Sequence, residues 1–174
     1  MKQQIILAVC GFMMATTALT QVTVKNPSPN HNVEFRRCIQ TDDNAFIDLM
    51  ITNTSNQDTK IRLGGIEIYD DEGNTYKDTD RSGSGWSTGP AKVFIATSTT
   101  DNSPLRSSEI SIPEGTFYRI RIMISGGFDK YAAEIKLLKL GFVWDLNTHG
   151  TSGYIPPLRS DQIIEVRNFP IIRE

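Results

Sequence analysis

The chain is poor in the residues from which reactive centres are built. Its 174 residues hold two histidines and two cysteines. No His-x-x-x-His, Cys-x-x-Cys or His-Glu-x-x-His spacing occurs, so a zinc centre has no ligand set to draw on. Basic residues do not cluster either, and Arg36-Arg37 is the longest Lys/Arg run. A nucleic-acid binder gathers a basic stripe, because neutralising phosphates supplies most of its non-specific affinity, so no nucleic-acid partner is expected. Lys+Arg 18 against Asp+Glu 20 leaves a formal charge of −2, too small to steer a charged partner. With 39% hydrophobic and 22% charged residues, the composition excludes collagen-like, disordered and polytopic membrane classes. One globular domain fits the length.

What is present begins with an address. Lys2 supplies a positive start, and the apolar stretch from Ile5 to Leu19 is broken only by threonines and a glycine. It is too short for a spanning helix, which needs about 20 apolar residues, and reads as a signal-peptide core over residues 1–20. Ala18-Leu19-Thr20 is a small-x-small cleavage site before Gln21. Cleavage removes Lys2 and leaves 17 positive against 20 negative residues, a net −3, with no transmembrane segment in the mature chain. Leu7-Ala8-Val9-Cys10 loosely resembles a bacterial lipobox, but the apolar run continues past Cys10, which favours the cleaved signal. The expected location is exported: periplasmic, cell-surface or extracellular. Cys10 departs with the signal, so Cys38 stands alone and no intrachain disulfide forms. Cys38 lies in a β-like run and is expected to be an inert, buried small hydrophobe.

Residues 21–32 read as a linker or edge strand, and residues 33–174 as a single domain. From Val33 onward, apolar residues recur at every second position in short runs separated by Asn, Asp, Gly, Ser and Pro clusters, which is the strand period. Ile47, Leu49 and Ile51 fall on one face, with Asp48, Met50 and Thr52 on the other. Gly64-Gly65 shifts the alternation between Leu63 and Ile66 by one residue, the mark of a bulge. Tyr118, Ile120, Ile122 and Ile124 share a face opposite Arg119 and Arg121, behind a Pro113-Glu114-Gly115 turn. The segment from Asp129 to Ile135 is expected to make one short helical turn. Seven to nine strands without a long helix imply an all-β, two-sheet antiparallel sandwich, the economical way to cover two apolar faces.

The run DLMITNTSN, then IYDDEGNTY, a Gly/Ser loop, P-E-G before an Arg-studded strand, IKLLKLGF and VRNFPI resembles the immunoglobulin-like domains of unknown function in small secreted bacterial proteins. These are similar to the extracellular immunoprotective antigens of that architecture. The resemblance spans about Val33 to Ile171 and implies an immunoglobulin-like sandwich and export, with no catalytic residues to carry over. Paired cysteines around a tryptophan, as in antibody domains, are absent.

Few constellations carry chemistry. Gly85-Trp86-Ser87-Thr88-Gly89 matches G-x-S-x-G, and Asp145 and His149 follow in hydrolase order. A nucleophile elbow needs a strand entering and a helix leaving, and no βαβ pattern exists, so no catalytic residue is assigned. Asp78-x-Asp80-x-Ser82-Gly83 opens like a calcium loop, but Gly89 stands where the bidentate Glu belongs. Asp70-Asp71-Glu72 reads as a solvated turn, and no metal or cofactor is expected. Asn53-Thr54-Ser55 has the form of a glycosylation sequon but reads as a turn. Trp144 continues the alternation of Leu140 and Phe142 and is expected in the core, while Tyr154 is ambiguous. Trp86 sits in a Gly/Ser loop where no core demands it. The expected function is a secreted or envelope-associated, non-enzymatic binding module with an unidentified protein or glycan partner, contacting it through Asp78, Asp80, Arg81 and Trp86. The alternative is a carbohydrate-binding module using loop aromatics, with calcium assisting.

Overall fold

The computed structural model describes residues 21–78, 91–96, 98–105, 109–144 and 160–174. Within them the alternating runs become eleven strands: β1 (Thr23–Lys25), β2 (His31–Thr41), β3 (Asn44–Asn53), β4 (Thr59–Asp70), β5 (Thr75–Lys77), β6 (Lys92–Ala96), β7 (Glu109–Ile112), β8 (Phe117–Ser125), β9 (Glu134–Val143), β10 (Ile163–Pro170) and β11 (Ile172–Arg173). One sheet runs β11-β2-β3-β8-β6, and the other runs β1-β10-β9-β4-β5 with β7 also paired to β4. The order β2-β3-β8-β6 facing β10-β9-β4 is the ABED and GFC arrangement of the immunoglobulin fold. The all-β, immunoglobulin-like expectation therefore holds in connectivity as well as in strand content. The count exceeds seven to nine because β1, β5, β7 and β11 have only two to four residues each, too few to show a period. Pairing is antiparallel except between β11 and β2. Pro170 closes β10, where a missing N–H ends the ladder, and the chain changes sheets through buried Ile171.

The core lies between the sheets. Ile47, Leu49 and Ile51 of β3 and Ile120, Ile122 and Ile124 of β8 are fully or almost fully buried, as their phase predicts. The Gly64-Gly65 bulge is present: the β4–β9 register shifts between Gly64 and Ile66. Gly65 takes φ 67, a conformation that costs a side-chain-bearing residue, and this turns both Leu63 and Ile66 inward. Cys38 is fully buried as expected, and desolvation with Asp48 nearby pushes its thiol up to about 12, which disfavours the thiolate. Trp144 is half-buried against the core, its ring 5.8 Å from Phe142. The helical turn expected after Asp129 does not form. Asp129 accepts from the Tyr131 N–H at 2.8 Å, and Asp71 accepts from the N–H groups of Ala133 and Glu134 at 3.0 and 3.2 Å. Those donors are spent on side chains, and the segment is a turn into β9.

Buried polar side chains fasten the ends of the sandwich. Asn53, 1% exposed, donates to the carbonyls of Gln57 and Ile112 at 2.8 and 3.0 Å and accepts from the Ser55 N–H and hydroxyl. The sequon is thus a turn whose amide is fully engaged. Asn53→Ala should cost about 2 kcal/mol, because the buried Ile112 carbonyl loses its amide donor and the Ser55 N–H its acceptor. A shifted urea midpoint with unchanged slope would show it, and an unchanged midpoint would refute it.

At the same end, His31 bonds to the Ser28 hydroxyl through Nδ1 at 2.8 Å and to the Thr59 hydroxyl through Nε2 at 3.0 Å, edge-on to Phe142. Desolvation lowers its pKa from the ordinary 6.5. The unfolded chain then binds the proton more readily, so stability falls as pH drops through 6.5 and is fully present above it. The urea midpoint should be lower at about pH 5.5 than at about pH 7.5, and His31→Gln should flatten that difference. Equal pH dependence in both proteins would contradict the assignment.

Candidate functional site

Of the four residues chosen from the sequence, the described part of the chain contains one. Asp78 follows β5, where its N–H donates to the Ile66 carbonyl at 3.0 Å. Asp80, Arg81 and Trp86 lie outside the described residues, as do Ser87, Asp145, His149 and Tyr154. The acidic turn after β4 is occupied by its own neighbours. Asp70 accepts from the Asn74 N–H at 2.8 Å, the Asn74 side chain at 2.9 Å and the Tyr76 hydroxyl at 2.9 Å. The Asp129 N–H donates to the same Tyr76 oxygen at 3.1 Å, and burial is the main reason that phenol titrates above its usual range. This network locks the turn onto the segment before β9. Among the described residues, no three His, Cys, Asp or Glu side chains gather where a metal could be held.

The pairing registers bring a different set together. Ile172, Ile39, Phe46, Met123 and Phe94 are successive cross-strand partners across β11, β2, β3, β8 and β6. They occupy the phase opposite the core residues Ile47 and Ile122, so the row crosses the outer face of this sheet. Ile172 is 51% exposed, Phe46, Phe94 and Met123 are half-buried, and Ile39 is buried at 7%. Met50 pairs with Arg119 and Phe117 with Thr52 on the same face, and Phe117 is 53% exposed.

Beside the row lies an ion cluster. Arg37 and Arg121 flank Asp48 on the neighbouring strands. Arg121 donates Nε to Asp48 Oδ1 at 2.7 Å and Nη2 to Oδ2 at 2.8 Å, a bidentate fork, and Nη1 to the Thr99 carbonyl at 2.7 Å. Arg37 Nε donates to Asp48 Oδ2 at 2.9 Å. Burial pushes the Asp48 carboxyl up, but the hydrogen bonds and charges of Arg121 and Arg37 outweigh it and hold the group below the usual carboxylate range. The Arg121 guanidinium lies 5.3 Å from the Phe46 ring centre and that of Arg119 lies 5.6 Å from Phe117, so the arginines cover aromatic faces as well.

The outer face of the other sheet is built differently. Glu67 meets Lys77 at 3.2 Å and Lys139 at 3.8 Å, and accepts from the Tyr69 hydroxyl at 2.9 Å. Glu165 meets Arg167 at 2.8 Å and Lys25 at 3.9 Å. Opposite charges side by side lace this solvated face with ion pairs, four basic groups sharing two carboxylates. Among the described residues, the outward apolar row crossing five strands belongs to one face only. Its signal in the sequence is faint: apolar residues at the phase that should be polar, as Phe46 beside Ile47 and Met123 beside Ile122.

No family model and no curated protein matches the sequence. Among solved structures, the chain is similar to the ASH / PapD-like domain of human CEP192 (PapD-like domain 7), at 13% identity and TM-score 0.35 over 92% of this chain and 95% of that one. It is also similar to part of a family 123 glycoside hydrolase from Clostridium perfringens, at 6% identity and TM-score 0.40 over 83% of this chain and 28% of the other. The immunoglobulin-like assignment stands on strand connectivity, independently of both.

Proposed function

We propose that this chain is an exported, non-enzymatic binding module that holds a protein partner against the outer face of the β11-β2-β3-β8-β6 sheet. The observation that carries the reading is the apolar row from Ile172 to Phe94, set beside arginines on one face of a domain whose other face is laced with ion pairs. Aromatic residues, Met and Arg are the types enriched where proteins meet. β2, β3 and β8 have 11, 10 and 9 residues and β6 has 5, so with about 4.8 Å between strands the face measures roughly 15 by 30 Å, below the roughly 800 Å² per partner of a standard interface and suited to a short segment of the partner. Export rests on residues 1–20. The 78–90 segment, with Asp78, Asp80, Arg81 and Trp86, joins β5 to β6 and belongs to the same proposal as an accessory contact.

The test immobilises the wild-type chain and a Phe94→Ser, Met123→Ser double variant side by side, and exposes both to envelope and secreted fractions of the cells that make the protein. A protein retained by the first and lost from the second, with both chains folded, is expected. Equal retention would move the contact to another surface. The glycan reading differs in outcome: it requires a saturable glycan-array signal that falls on Trp86→Ala, and the protein reading expects none.

A further inference from the structure

We infer that the partner recognised by this face is an acidic, apolar protein segment, one that presents two carboxylates about 12 Å apart with an apolar side chain between them. The inference rests on the proposed function and adds the chemistry of the partner. Both outer faces carry more basic than acidic groups, and what sets the five-stranded sheet's face apart is that two of its arginines keep free donors. Arg36, Arg37, Arg119, Arg121 and Lys92 stand against Glu34 and Asp48, five positive to two negative, whereas the whole chain carries −2.

Two of those arginines have donors to spare. Arg37 spends Nε on Asp48, and its two terminal amino groups make no hydrogen bond among the described residues; its side chain is 49% exposed. Arg119 has no carboxylate partner among the described residues and is exposed over Phe117. A guanidinium with a free fork takes a carboxylate in a bidentate, charge-assisted pair. Arg121, with both Asp48 oxygens and the Thr99 carbonyl, is spent, and together with Asp48 it positions Arg37.

Register sets the spacing. Arg37 pairs with Asp48 and Arg119 with Met50, so the two arginines are separated by β3 and offset by two residues. Two strand spacings of about 4.8 Å and a rise of about 7 Å place them roughly 12 Å apart. An extended segment repeats that distance every four residues, about 13 Å, with the residue midway facing the same way. That central side chain would lie over β3 between Asp48 and Met50, with Met50 as its apolar contact.

The probes are three fluorescein-labelled peptides, SLSESLSESLS, SLSKSLSKSLS and SSSESSSESSS, titrated with the purified full chain by fluorescence anisotropy. The first should bind, weaken with added salt, and lose affinity about tenfold or more on Arg119→Glu and on Arg37→Glu, as expected when a charge-assisted pair is removed. Equal binding of the lysine peptide would overturn the charge assignment. Equal binding of the leucine-free peptide would make the face a polyanion surface and overturn the segment. If no peptide binds while partner retention still depends on Phe94 and Met123, the face stands and the acidic partner falls. If that dependence is also missing, both readings fall.

Discussion

Asp48→Ala should destabilise the domain by about 3–5 kcal/mol, the range for removing one partner of a buried ion pair. Domains of this size are stable by only about 5–15 kcal/mol, so the variant would be partly unfolded at modest urea. Asp48 is 7% exposed on an outer face, which is unusual for a carboxylate, and three charge-assisted bonds make that burial tolerable. Alanine leaves Arg121 shielded from water without its anion, since only 11% of that side chain is exposed. The charge left behind, rather than the lost contact, is the main cost. Arg121→Met in the same chain should therefore recover a large part of the loss, while Arg37→Met should recover little, because Arg37 already reaches solvent. Urea midpoints of the three proteins decide it, and equal midpoints for the single and double variants would contradict the account. The depressed Asp48 pKa points the same way: its contribution is present above the unfolded value of about 3.8 and is lost as acid protonates the folded carboxylate.

Phe142→Ala should cost about 3–5 kcal/mol, from lost transfer free energy and the cavity that remains. Phe142 is fully buried near the end of β9, paired with Leu63 of β4. Its ring stands edge-on to His31 at 5.3 Å and 5.8 Å from Trp144. Neighbouring β-strands are held by their ladders and cannot close over the gap. The same variant should shift Trp144 emission and raise the His31 pKa toward normal, because water gains access to both. Phe117→Ala is the matched control: 53% exposed and outside the core, it should change stability by about 0.5 kcal/mol or less. Similar midpoints for the two variants would contradict the placement of the core.

Strand existence and phase were legible because burial imposes a period of two, as in Ile47-Leu49-Ile51 and Ile120-Ile122-Ile124. The bulge was legible because paired glycines interrupt that period at one point. Strand partners were not. Asp48 and Arg121 are 73 residues apart, and nothing local says that β3 lies beside β8. His31 and Thr59, 28 apart, meet across sheets for the same reason. The apolar row was hidden twice over. Each member is an ordinary apolar residue in its own strand, and in Val93-Phe94-Ile95-Ala96 every position is apolar, so no phase distinguishes the outward Phe94. Trp86 was conspicuous in the sequence because a large ring stood among glycines and serines. The face from Ile172 to Phe94 becomes visible only when five strands are laid in register.

The central claim is that one outer face, and not the other, meets a partner. Site-specific photocrosslinking in the cells that make the protein tests it most directly, with p-benzoylphenylalanine replacing Phe94 or Met123 on one face and Lys139 or Arg167 on the other. The account predicts an adduct of one common mass from Phe94 and Met123 and none from Lys139 or Arg167. Adducts from the charged face, or none from either, would contradict it.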